Sequence, residues 1–356
     1  MGAFDALCEL DRLVDAVRRN CSITDARHAR DMTMCTYLLE MREYCRWERG
    51  IPPGGTLPPR SEIGSWLIAR EALWDELVEQ DYGIIPVGGR NHDPFESEGI
   101  NQALQGHGLI YGAGVGRFRK PHFFLARLVR EDRREGLRVQ VCGREYARDL
   151  TALPAVLRGD TIVVRGEALR QWLWEKVEAW RARGSDGALK AALDSYGYGA
   201  DAHAAIERMA EAETEVLVLH ELGEHAAGRG LGPSWEAMLA ACGSKRAEVV
   251  ARAVRDNLAD CLTTLPALLE RDARGSLHFW FANFDGMRHE LFPSLAAAYR
   301  EWHARHDATR LHSALGEGRT HWRKIAADLL ARFEQDEAAA DAALAHWGAD
   351  PAAIRL

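Results

Sequence analysis

The sequence lacks a stretch of apolar residues long enough to cross a membrane. A transmembrane helix needs roughly 18–20 such residues in succession, and no uninterrupted run among the 356 residues approaches that length. The first residues are acidic and amphipathic, unlike a secretory signal, which places a positive segment before an apolar one. These absences predict a cytoplasmic location and no membrane partner.

Cysteine is scarce, and the spacing of the cysteines matches neither a disulfide framework nor a zinc site. Seven cysteines are present, and none are spaced as C-x-x-C. An odd number with this spacing argues against both a set of disulfides and a cysteine-rich zinc site. We therefore expect most of the thiols to be small buried apolar side chains.

An excess of basic residues is also absent. The 45 Lys and Arg are outnumbered by 53 Asp and Glu, so the net charge is −8. Arginine alternates with acidic residues over 130–135, as is typical of a solvated turn. The charge therefore predicts no nucleic-acid partner. The expected partner is a small-molecule or peptide substrate, and the oligomeric state is left open.

Helical periodicity dominates residues 1–80 and 167–346, whereas residues 82–165 contain extended segments. Three of these segments are separated by turns and predict a small antiparallel β-meander. They cover residues 108–117, 121–129 and 137–142. Because the strands interrupt the helical part, we predict one compact domain over residues 1–356. Its class is α+β and mainly helical, a helical bundle-like body with a central meander.

The helix predicted near residues 206–228 gathers ionisable side chains. At 100° per residue, Glu213, His220 and Glu224 fall within about 40° of one another on its surface. Apolar residues 216–219 precede His220, so this part of the helix is expected to be largely buried. Burying ionisable groups is costly unless they are paired or bind a metal ion.

A second pair on the same helix is Glu221 with His225, again four residues apart. Three interpretations of the two pairs stay open. Such pairs can stabilise a helix surface as salt bridges. Imidazole and carboxylate at this spacing can also chelate one ion, or they can act as a metal-free acid–base site.

The segment Val218–Glu224 resembles the active-site helix of zincin metallopeptidases, whose signature is H-E-x-x-H. The later segment Asp256–Asp260 is similar to the Glu-x-x-Ala-Asp motif of that family, with Asp in place of Glu. One departure is that Glu224 stands where the second histidine is expected. The next residue, His225, lies about 100° away from the required face.

The zincin resemblance implies a role for each matching residue. His220 and Asp256 would bind zinc, and Asp260 would orient a ligand from behind. Glu221 would be the catalytic base that acts on a metal-activated water. The resemblance covers about 45 residues and implies a hydrolase.

A carboxylate-rich site is an alternative use of the same two helices. Helical proteins that bind iron or manganese hold the ions between carboxylate-bearing helices, although their usual Glu-x-x-His spacing is missing here. The preferred function is a metal-dependent enzyme, a zincin-like hydrolase. The alternatives are a non-haem iron or manganese oxidase and a non-catalytic helical scaffold. The candidate ligands of a divalent ion are His220, Glu224, Asp256, Glu213, Asp260 and His225.

Residues 108–117 are rich in glycine and lie beside a strand. They lack the Lys-Ser/Thr of a phosphate-binding Walker loop, and Pro121 makes a following helix unfavourable. Close packing of a glycine-rich strand is therefore expected. Binding of an anion near Arg117, Arg119 and Lys120 is left open.

Overall fold

Helices account for most of the chain, which confirms that the protein is mainly helical. A computed structural model describes residues 3–116, 119–184 and 186–356, with side chains described from residue 9 onward. The chain divides into two compact units, Met1–Glu175 and Lys176–Leu356. The expectation of one domain over residues 1–356 stays a prediction.

The first unit combines helices with two sheets. Its helices are α1 (Ala3–His28), α2 (Met34–Glu48), α3 (Arg60–Leu77) and α4 (Ser97–Ala103), and α5 (Gly166–Arg183) begins in it. Its strands are β1 (Ile85–Val87), β2 (Arg90–His92), β3 (Leu109–Val115), β4 (Pro121–Arg134), β5 (Leu137–Arg148), β6 (Ala155–Arg158) and β7 (Thr161–Arg165). Strands β1 and β2 form a separate antiparallel pair.

The larger sheet has the order β3-β4-β5-β7-β6. Strands β3 to β5 are antiparallel, as the meander predicts, but β7 pairs parallel to β5. The sheet is therefore mixed and has five strands. A parallel pair joins strands that no tight turn connects, so the turn pattern in the sequence carries no sign of it.

Local sequence explains the longest hairpin and the main core contact of this unit. Glu135 and Gly136 both adopt positive φ, 51° and 87°, which matches the two-residue turn that joins β4 to β5. Helix α1 packs its apolar face on the sheet. Val17 of α1 and Phe123 and Leu125 of β4 are fully buried in this core.

The second unit is helical throughout its described residues. Its helices are α6 (Ala188–Ser195), α7 (Ala202–Leu231), α8 (Ser234–Ala241), α9 (Lys245–Ala259), α10 (Leu265–Glu270), α11 (Arg274–Ala282), α12 (Gly286–Leu291), α13 (Pro293–Arg305), α14 (Thr309–Gln335) and α15 (Glu337–Ala349). Trp235 and Trp322 are fully buried in its core. In the described part of the chain, no helix has the length and apolarity to span a membrane.

Helix α7 has clear signals at both ends. The carboxylate of Asp201 accepts a hydrogen bond from the backbone N–H of Ala204, an N-cap that satisfies one free donor. Gly232 ends the helix with φ of 82°, in the left-handed region that favours glycine. These caps fix the helix that carries the candidate site.

Candidate functional site

Helices α7 and α9 approach each other closely at a glycine. A Cβ atom built on Gly223 would lie 2.6 Å from the carbonyl oxygen of Ala259, a separation that real side chains do not adopt. Only glycine fits this point of contact. The close approach brings the ionisable side chains of the two helices within reach of each other.

His220 lies between two carboxylates. Its Nδ1–H donates to Oδ1 of Asp260 at 3.0 Å, and its Nε2 lies 3.4 Å from Oε1 of Glu224. The carboxyl of Asp256 hydrogen-bonds the carboxylate of Glu224. Four of the six candidate ligands therefore form one cluster, in which Asp260 contacts His220 directly.

Two arginines complete this His220 cluster, and neither was predicted from the sequence. Nη2 of Arg255 lies 2.9 Å from Oε2 of Glu224 and 3.3 Å from Oδ1 of Asp256. Arg288 pairs with Asp260. Their presence follows from charge: three carboxylates that share one imidazole need further positive charge when they are partly buried.

The contacts shift the pKa values in directions that favour paired charges. Burial would lower the pKa of His220, but Asp260 and then Glu224 raise it well above its ordinary value. Burial would raise the pKa of Glu224, but His220 and Arg255 lower it to about 2. Burial and the nearby Glu224 raise the pKa of Asp256. Asp256 is thus the carboxyl of the cluster that holds a proton most readily.

Solvent reaches one side of the cluster. The side chains of His220 and Arg288 are 23% and 26% exposed, whereas Asp260 is sealed at 1%. Asp260 also begins a π-helical turn, Asp260–Thr264, which separates α9 from α10. Turns of this kind occur frequently at functional sites. The cluster therefore has a buried base and an accessible rim.

Glu213 does not join the cluster, contrary to the predicted stripe. The hydroxyl of Tyr196 donates to Oε1 of Glu213 at 3.5 Å, and Ser276 bonds the same carboxyl. Seven residues of helix rise separate Glu213 from His220 by about 10 Å. The sequence prediction compared the angles of Glu213 and His220 around the helix and did not consider their separation along its axis.

The other two residues predicted on α7 differ in burial. Glu221 is buried at 8% exposure, and its role as a base stays a prediction. His225 is half-buried, and within the described residues no hydrogen bond or ion pair joins it to the cluster. Its position about 100° from Glu224 around the helix accounts for this.

The side chains of the cluster are of types that can bind a divalent ion. However, two of the carboxylates already pair with Arg255. Imidazole nitrogen and carboxylate oxygen are both donor types that bind zinc. Yet no group of three or more His, Cys, Asp or Glu in the described residues is arranged as an ion site. Arg255 contacts one oxygen of Glu224 and one oxygen of Asp256.

The first unit holds a buried ionic network that was also not predicted. Nε of Arg165 donates to Oε1 of Glu145 at 2.7 Å, and Nη1 of Arg148 lies 3.7 Å from the other carboxylate oxygen. Nearby, Asp149 accepts hydrogen bonds from Nδ1 of His122 and from the backbone of Phe123. The side chains of the Glu145 pairs are at most 4% exposed. We call Glu145, Arg148 and Arg165 the Glu145 network.

The glycine-rich strand packs closely, as expected. A Cβ atom on Gly112 would lie 2.0 Å from the ring of Phe124. Arg117 lies outside the described residues. Binding of an anion to this segment stays a prediction.

The chain matches a known family over nearly its whole length. Residues 12–165 match the N-terminal domain, and residues 170–348 the C-terminal domain, of a family of unknown function, DUF6866. No curated protein matches the chain, and no solved structure does. The chain therefore belongs to the DUF6866 family, whose function is unknown.

Proposed function

We propose that the chain is a metal-dependent hydrolase of the zincin-like kind, with His220, Glu224 and Asp256 as ligands of a divalent ion, zinc in the first instance. The contact between Asp260 and Nδ1 of His220 is the observation that supports this most. Histidine ligands usually donate their second N–H to a carboxylate, which fixes the ring and its tautomer. Here that contact leaves Nε2 facing Glu224.

Each residue around the proposed site would have its own role in hydrolysis. A divalent ion at this place would supply a Lewis acid. Glu221 follows His220 directly on α7, and we assign it the role of general base that takes a proton from the attacking water. Arg288 holds Asp260 in place from the other side. The substrate would be a small molecule or a peptide that reaches the exposed rim.

Two other functions are favoured by particular observations. The cluster offers three carboxylates to one imidazole, and oxygen-rich donor sets also suit iron and manganese. That supports a non-haem iron or manganese oxidase, although Glu213 lies outside the cluster. The pairing of Arg255 and Arg288 with the carboxylates supports instead a non-catalytic scaffold whose charges are already balanced.

Elemental analysis of the chain purified without added metal separates these functions. A zinc content near one per chain would support the hydrolase, and about two irons or manganese ions would support the oxidase. No metal above background would reject both and favour the scaffold. The double variant His220→Ala with Asp256→Ala should lose the metal, and the matched control His225→Ala should keep it. Equal metal in both variants would reject this ligand set.

A further inference from the structure

We infer that His122, held in place by the buried Asp149, is the proton acceptor of a second catalytic site, which hydrolyses small carboxylic esters without a metal ion. This site lies in the first unit and uses none of the residues assigned to the proposed metal site. The chemistry of its residues sets the substrate class: a proton acceptor, a nearby ammonium group, and water as the attacking nucleophile.

The ring of His122 is oriented by Asp149. Nδ1 of His122 lies 2.9 Å from Oδ2 of Asp149, whose side chain is 0% exposed. The same oxygen accepts the backbone N–H of Phe123 at 3.2 Å. A carboxylate only accepts hydrogen bonds, so the neutral ring carries its proton on Nδ1 and its lone pair on Nε2. Nε2 is therefore the atom that can take a proton from water.

The charge of Asp149 suits this role. Burial would raise the pKa of Asp149, but the hydrogen bond and charge of His122, and then the charge of Lys120, lower it. Asp149 is thus ionised, and its charge stabilises the imidazolium that forms when Nε2 takes a proton. Asp149 is a positioning residue, because it acts through His122.

A glycine leaves space beside the proton-accepting nitrogen. A Cβ atom on Gly116 would lie 2.9 Å from Nε2 and 2.8 Å from Cδ2 of His122, closer than real side chains come. That point is within hydrogen-bonding reach of Nε2. In the described part of the chain no group hydrogen-bonds Nε2, and the side chain of His122 is 20% exposed. Nε2 is thus open to a small molecule at the end of the β3–β4 hairpin.

Lys120 brings a positive charge to the same place. Its Nζ donates to Oγ1 of Thr151 at 3.2 Å and lies 3.9 Å from Oδ1 of Asp25. Lys120 precedes His122 by two residues. Its partner Thr151 follows Asp149, the partner of His122, by two residues as well. The two contacts therefore lie side by side. An ammonium has three N–H donors, so one of them can stabilise an oxyanion that forms beside Nε2.

The proposed reaction needs water as its only co-reactant. Nε2 of His122 removes a proton from a water molecule while the water oxygen attacks the carbonyl carbon of the ester, and a new C–O bond forms. The C–O bond to the alcohol then breaks, and the imidazolium returns the proton to the leaving oxygen. The products are a carboxylic acid and an alcohol, and the ring of His122 is neutral again.

Hydrolysis of para-nitrophenyl acetate by the full-length chain, with a chelator present, tests this site. Gly116→Ala keeps His122 and Asp149 but places a methyl group against Nε2, so kcat/KM should fall about a hundredfold. Gly114→Ala is the matched control and should keep the wild-type rate, because a Cβ there meets only the guanidinium of Arg158 at 3.9 Å. Neither glycine has a positive φ, so alanine strains neither backbone.

Substitutions of two histidines and of the lysine give a second comparison. His122→Gln removes the proton acceptor and should lower kcat/KM about a hundredfold. His28→Gln is its control: His28 is similarly exposed, at 25%, but its partner Asp31 is 69% exposed, so this pair should contribute nothing to the rate. Lys120→Met should lower kcat more than it raises KM, because the oxyanion forms only in the transition state.

A measurement on the wild type keeps the test decisive if a variant fails to fold. At alkaline pH the long-range ¹⁵N–¹H spectrum of neutral His122 should show its proton on Nδ1, and a proton on Nε2 would overturn the inference. Equal rates for Gly116→Ala and Gly114→Ala would overturn it too. Hydrolysis that survives the chelator and is lost in His122→Gln supports this site whether or not the chain binds zinc. Hydrolysis that the chelator abolishes and His122→Gln retains would overturn it and leave the metal site standing.

Discussion

The Glu145 network of the first unit and the His220 cluster of the second use the same chemistry in different surroundings. Both join carboxylates to arginine through direct contacts, and the second also contains a histidine. The side chains of Glu145 and Arg165 are 0% and 4% exposed, whereas those of His220 and Glu224 are 23% and 18% exposed. The two regions therefore differ mainly in their access to solvent.

The solvent exposure of a charged cluster determines how readily one of its partners can be replaced. In a sealed network each charge depends on one particular partner, because leaving it unpaired costs several kcal/mol. In a cluster with an open rim, water and dissolved ions can replace a partner at lower cost. We therefore expect the Glu145 network to contribute mainly to stability, and of the two we propose binding only for the His220 cluster.

The largest expected effect lies in the sealed network. Arg165→Met leaves the buried Glu145 without its closest partner and should cost about 3–5 kcal/mol of unfolding free energy. Denaturant unfolding of the wild type and the variant measures the loss. The double variant Glu145→Leu with Arg165→Met removes both charges and should recover much of it. A loss under about 1 kcal/mol in the single variant would contradict the contrast with the open cluster.

Glu213 extends the comparison to a buried carboxyl that has no cationic partner among its hydrogen bonds. Burial raises its pKa to about 8, against the opposing hydrogen bonds from Ser276 and Tyr196. The folded chain thus keeps a proton that the unfolded chain releases near pH 4.5. The contribution of Glu213 to the free energy of unfolding is fully present below pH 4.5 and is lost as the pH rises through 8.

The variant Glu213→Gln should not show this loss of stability at high pH. Between pH 5 and pH 9 the unfolding free energy of the variant should rise relative to the wild type by an amount on the order of 4 kcal/mol. Denaturant unfolding at the two pH values gives the difference directly. An identical pH dependence in both proteins would show that Glu213 is ionised in the folded chain at neutral pH.

A substitution at the contact between α7 and α9 should change the free energy of unfolding by less, and the same helix offers a matched control. Gly223→Ala places a methyl group against Ala259 and should cost about 1–3 kcal/mol, because the helices must separate. Gly228 lies on the same helix, and a Cβ there would meet nothing within 4 Å. Gly228→Ala should therefore stabilise by about 0.5–1 kcal/mol. Thermal unfolding compares them, and equal effects of the two changes would reject the close approach as a cause.

Sequence patterns predicted those parts of the fold and site that depend on local spacing. The mainly helical character and the antiparallel pairing of β3 to β5 follow from periodicity and turns, and the structure confirms them. The grouping of His220, Glu224, Asp256 and Asp260 follows from spacing within two helices together with a family resemblance. The helical and antiparallel parts rest on residues close together in the chain, whereas the pairing of α7 with α9, 40 residues apart at His220 and Asp260, came from the resemblance.

Features that depend on distant residues were not predicted. Arg288 meets Asp260 from a helix 28 residues further along the chain, and Arg148 and Arg165 were not distinguished from the many solvated arginines. The parallel pairing of β7 with β5 depends on a contact of the same kind. Glu213 was misplaced because its angle around the helix was considered without its rise.

The protonation of His220 gives the most direct test of our central proposal, which is that this cluster binds a divalent ion. Long-range ¹⁵N–¹H spectra of the histidines, assigned with His220→Gln, report the proton on each ring nitrogen. In the metal-free chain at pH 7, His220 should carry protons on both nitrogens, as its raised pKa requires. One equivalent of zinc should remove the proton from Nε2 and leave the Nδ1 proton on Asp260, with His225 unchanged. A His220 spectrum that does not respond to zinc would contradict the account.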